Sequence, residues 1–78
     1  MSILDLDRGT RRFVCDLAED IFEVLDARYP AAGSRRCVRE AVLHGIVKMF
    51  ETGTRDAEAL SAFGLAEGVR AVAQLRDG

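Results

Sequence analysis

The single histidine, His44, stands seven residues after Cys37 in the stretch SRRCVREAVLHGIVKMF, residues 34–50. Seven residues are about two helical turns, so both side chains would share one side and could pair as metal ligands across a dimer. A third ligand at matching spacing is missing, so packing or a rim position is the expected role, and no metal and no cofactor is expected. Cys15, the other cysteine, lies in an apolar run. Two cysteines without close spacing make no disulfide framework, and both read as small buried hydrophobes kept reduced. Glu19, Asp20 and Glu23 have the spacing of a solvated helix face rather than of a catalytic pair. No nucleophile is paired with a base and no glycine-rich phosphate loop occurs, so an enzyme is not expected.

Arginine offers a different chemistry. Arg8, Arg11 and Arg12 cluster ahead of the first clear helix, and Arg35, Arg36 and Arg39 at the start of the central one. Asp16, Glu19, Asp20, Glu23 and Asp26 lie between them. A fold that joined the two clusters would create a local basic surface; otherwise they are solvated faces with helix-surface ion pairs. The formal net charge of −2 argues against bulk electrostatic attraction to nucleic acid.

The elements that would position these groups centre on residues 34–50. Ser34 is expected to cap the helix after Gly33. From Ala41 onward only His44 and Lys48 are polar, and a helix apolar nearly all round must be buried nearly all round. Gly45 weakens it by about 1 kcal/mol relative to alanine, which makes sense where another backbone crosses closely. At 78 residues the chain offers little material to wrap such a helix, and a second copy is the simplest remedy. The expected dimer core is Val38, Ala41, Val42, Gly45, Ile46 and Met49.

Upstream, residues 1–9 form a short mixed segment in which Ile3, Leu4 and Leu6 could tack onto a neighbour. Residues 11–16 fit two templates. Phe13, Cys15 and Leu17 alternate as in a strand, while Phe13, Leu17, Ile21 and Leu25 continue a helix capped by Thr10. Ala18 to Tyr29 is clearly helical, with Ile21, Phe22, Leu25 and Tyr29 as the buried stripe, and Pro30 ends it. The central helix stops near Gly53. Thr54 then caps a third helix that Gly64 interrupts, and the Ala- and Gly-rich remainder, broken again at Gly68, is a marginal helix needing a partner surface. The expected division is 1–53 for dimerisation and DNA binding and 54–78 for a protein partner.

Apolar residues make up 49% and charged residues 31%, with no Trp and no apolar run of the roughly 18 residues a bilayer requires. The acidic start MSILDLD is unlike a signal peptide. A cytoplasmic protein with no membrane partner is expected.

Residues 12–50 resemble the ribbon-helix-helix family of MetJ, Arc and CopG repressors. The resemblance rests on Leu17-Ala18-Glu19, Leu25-Asp26, Gly33-Ser34-Arg35 and Arg39-Glu40-Ala41. It implies a mostly α fold: one short N-terminal strand paired across a dimer, two packed helices and a C-terminal helical segment. It also implies that Thr10, Arg12 and Val14 face the bases of operator DNA, Arg12 suiting guanine and Val14 a thymine methyl. Ser34, Arg35 and Arg36 would clamp a phosphate at the N-terminus of the second helix. Asp16 departs from that pattern, because phosphates repel it. A small dimeric transcriptional regulator or antitoxin is thus one expectation, with residues 54–78 binding a toxin. The other is an all-α domain of three or four helices, a protein-interaction module such as a phage-encoded inhibitor or adaptor that binds no DNA.

Overall fold

A computed structural model describes residues 7–32 and 35–77, with side chains described as far as 75. It contains three helices, α1 (Arg8–Arg28), α2 (Arg36–Glu51) and α3 (Ala57–Asp77). The all-helical alternative describes the molecule, and the ribbon-helix-helix expectation does not: the described residues contain no strand.

Residues 11–16 settle as the second and third turns of α1. The helix starts earlier than Thr10, because Asp7 supplies the cap. The Thr10 N–H donates to Asp7 Oδ1 at 2.9 Å, and this contact holds the Asp7 carboxyl below its ordinary value. Once the helix begins there, Val14 falls in line with Ala18, Ile21, Phe22 and Leu25, and all five are buried. A strand at 11–16 would have left its backbone groups seeking a partner, whereas the helix satisfies them internally. Tyr29 ends α1, its N–H donating to the Leu25 carbonyl, and Pro30 follows.

The helices run up, down and up, in layers made visible by two glycines of α3. A Cβ on Gly64 would stand 2.8 Å from Ile21 Cδ1 and 2.9 Å from Ile46 Cγ1. One on Gly68 would stand 2.7 Å from Leu25 Cδ1 and 2.9 Å from Val42 Cγ2. Ile21 pairs with Ile46 and Leu25 with Val42, so α1 and α2 are antiparallel while α1 and α3 are parallel. The expected breaks at Gly64 and Gly68 do not occur; α3 continues through both. With Leu60 and Val72, also buried, these glycines recur every fourth residue and form the face that α3 presents to the core.

This packing removes the reason for requiring a second copy to cover α2. Val38, Val42 and Ile46 are fully buried within one chain, and Ala41 and Met49 are half-buried. Gly45 meets Glu67 and Phe63 of α3. A Gly- and Ala-rich face looks weakly apolar in the sequence, which hides the covering role of α3. Small residues instead let three backbones approach closely enough for Leu25, Ile46 and Val42 to interlock.

The α2–α3 link is tightly specified. Gly53, at φ +104°, follows the C-cap Thr52. Its N–H donates to the Phe50 carbonyl at 3.1 Å and that of Thr54 to the Met49 carbonyl at 3.2 Å, a Schellman closure. Arg55 lies 3.6 Å over the Phe50 ring, and its Nη1 donates to the Phe50 carbonyl. Asp56, rather than the expected Thr54, accepts from α3, taking the Ala59 N–H at 3.3 Å.

Candidate interaction surfaces

The residues expected to touch DNA do not form one surface. Thr10 is half-buried, Arg12 is exposed, and Val14, expected to face outward, is fully buried in the core. Ser34 lies outside the described residues. Arg35 and Arg36 are exposed at the start of α2, where the N-cap Arg35 makes no capping hydrogen bond with its side chain, and Arg36 pairs with Glu40 at 3.1 Å. The two arginine clusters sit at opposite ends of the bundle, because α1 and α2 are antiparallel. The 16-residue interval from Arg12 to Arg28 alone spans about 24 Å of helix. Folding therefore separates the clusters. Arg39, also exposed, reaches across the α1–α2 contact, 4.7 Å over the Phe22 ring.

Cys15 and Cys37 are free and exposed rather than buried, and His44 is exposed as well. Among the described residues no three His, Cys, Asp or Glu side chains group closely enough to hold a metal ion. None of the described helices is long and apolar enough to cross a membrane.

Two surface features stand out. The first is the groove between α1 and α3. On α1, Ile21 and Leu25 face α3, and Phe22 lies towards Arg39 of α2. Phe13, Leu17 and Val24 recur at intervals of four and seven, forming a stripe beyond Ile21 on the side away from α2. On α3, Phe63 and Glu67 face α2, which leaves Leu65 and Val69 on the α1 side. Phe13, Leu17, Leu65 and Val69 pack only partly against the core, and Val24 is 40% exposed. Exposed Asp16, Asp20 and Glu23 border this groove on α1, and exposed Ala62, Ala66 and Ala73 on α3.

The second is a cavity of about 500 Å³ where the α1–α2 turn meets the end of α3. Arg28, Tyr29, Ala31, Arg35, Val72 and Leu75 are among its lining residues. Ala31 holds φ at +69°, a left-handed conformation that costs a residue with a Cβ about 1 kcal/mol. Arg35 is visible as a candidate in the sequence and the cavity is not, since Val72 and Leu75 join it only through the parallel course of α1 and α3.

No protein-family model, no curated protein and no solved structure matches this chain.

Proposed function

We propose that this chain is a non-enzymatic helical module that binds a partner protein through the α1–α3 groove. The occupant is an amphipathic helix with a basic flank. The carrying observation is the stripe of Phe13, Leu17 and Val24 beside Leu65 and Val69, with an acidic border on one side and an alanine border on the other. Apolar residues of a partner helix at three- and four-residue spacing would seat along the stripe. Its Lys or Arg residues would face Asp16, Asp20 and Glu23. The short side chains of Ala62, Ala66 and Ala73 allow a neighbouring backbone to approach closely. A ribbon that reads bases is no part of this proposal, because its segment is helical and its Val14 is interior.

The test is a titration of the ¹⁵N-labelled chain with a synthetic Leu/Lys amphipathic helix and with its Leu/Glu counterpart. The Leu/Lys peptide should shift amides along the groove, and Val24→Ser should weaken it about fivefold, the worth of roughly 1 kcal/mol of apolar contact. Equal binding of both peptides, or shifts confined to other faces, would refute the proposal.

A further inference from the structure

The cavity at the α1–α2 turn carries chemistry that a helix-binding groove does not need. Its floor is apolar: Val72 and Ala32 are buried, and Leu75 is 37% exposed. Two arginines, Arg28 and Arg35, are among the lining residues with the half-buried Tyr29. Other arginines nearby are engaged, Arg36 with Glu40, Arg70 with Glu67 and Arg39 with the Phe22 ring. Neither Arg28 nor Arg35 forms an ion pair among the described residues.

Arg28 has a local role, since a cation in the last turn of α1 complements the helix dipole. Arg35 has no such role, because it sits at the N-terminal, positive end of α2, where a cation is disfavoured. Two arginines thus line an apolar floor on a chain whose net charge is −2, where the C-terminal ends of α1 and α3 meet the N-terminal end of α2. Leu75 adds an apolar side chain that keeps about a third of its surface, 37%, in water. A volume of about 500 Å³ lies within the range of small-molecule sites.

We infer that this cavity binds a small organic anion with an apolar body, an alkyl or aryl carboxylate. Its head pairs with Arg28 and Arg35, and its body lies on Val72 and Leu75. A guanidinium matches a carboxylate through two parallel N–H donors, giving the head a defined seat. The apolar body removes Leu75 from water and gives the site its preference over simple anions. This inference is independent of the groove and of its partner.

The experiment is a ¹⁵N–¹H NMR titration of the full chain with sodium octanoate below its micellar concentration, with octanol and sodium acetate run in parallel. Octanoate should give saturable shifts at Arg28, Tyr29, Arg35 and Leu75. Octanol, which lacks the charge, and acetate, which lacks the body, should each bind at least about fivefold more weakly. Arg28→Gln and Arg35→Gln should each lower octanoate affinity about five- to tenfold, the range of one charge-assisted hydrogen bond at a partly exposed site. Both positions are exposed, so the variants should retain the fold, as their unperturbed core resonances would show. Lys48→Gln, on α2 far from the turn, should bind octanoate as the parent does. Equal affinity for octanol and octanoate, shifts centred away from the cavity, or unchanged binding in both glutamine variants would overturn the inference.

Discussion

Gly68 and Gly45 both stand where an added methyl group meets an atom within 3 Å, yet their surroundings can respond very differently. A Cβ on Gly68 strikes Leu25 and Val42, both fully buried and enclosed by three helices. A Cβ on Gly45 strikes Cγ of Glu67, whose side chain keeps 27% of its surface and ends in an ion pair with Arg70 at 3.5 Å. The first site can yield only by moving the core. The second also meets Glu67 Cβ at 3.3 Å, so it yields by moving Glu67 and parting α2 and α3 by a few tenths of an ångström, neither Glu67 nor Phe63 being fully buried. The inner contacts of α3 therefore define the fold, while its outer contact with α2 merely accommodates it.

The most severe test of that contrast is to empty the inner layer. Leu25→Ala removes a fully buried side chain wedged against Gly68, and should destabilise the chain by about 2–5 kcal/mol in urea unfolding. A loss below about 1 kcal/mol would mean that the layer collapses freely and is not tightly packed. Filling the same layer is the next test. Gly68→Ala should cost about 1–3 kcal/mol in overpacking against about 1 kcal/mol gained in helix propensity, leaving net destabilisation of up to about 2 kcal/mol. Gly45→Ala should cost less than Gly68→Ala and stay within about 1 kcal/mol of the parent, because displacing Glu67 offsets part of the helix gain. Equal effects at the two glycines would erase the distinction.

The smallest effect lies at the amino end, where Asp7 caps α1. Its carboxyl is held below the ordinary value by the Thr10 contact. The cap contribution is thus fully present above the unfolded value of about 4 and is lost as pH falls through the lower folded value. Asp7→Asn keeps a capping oxygen but not the ionisation. Its thermal midpoint should fall less steeply than the parent's below about pH 4. Parallel curves would show that the cap does not contribute to acid stability.

The sequence made different parts of this architecture legible to different degrees. The buried stripe of Ile21, Phe22 and Leu25 was plain, because large apolar residues at helical spacing leave little choice. The apolar surround of α2 was equally plain, but what covers it was not. Gly64 and Gly68 read as interruptions when considered singly, and their spacing of four with Leu60 and Val72 becomes informative only once three helices converge. Residues 11–16 were ambiguous because the alternation of Phe13, Cys15 and Leu17 satisfies a strand as well as one face of a helix. Asp7 resolves that choice from outside the ambiguous window, by starting the helix a turn before it. Of the candidate surfaces, the acidic face of α1 was visible, whereas the groove and the cavity arise between elements distant in sequence.

The central claim is that α2 is covered by α1 and α3 of its own chain. Isotope-filtered NOE spectroscopy on a one-to-one mixture of labelled and unlabelled protein tests it most directly. Contacts from the Gly68 α-protons to the Leu25 and Val42 methyl groups, and from Gly45 to Phe63, should appear in the uniformly labelled sample. They should be absent from the spectrum that selects contacts between labelled and unlabelled chains. The same contacts appearing between chains would show that the cover of α2 comes from a second copy, and would contradict the account.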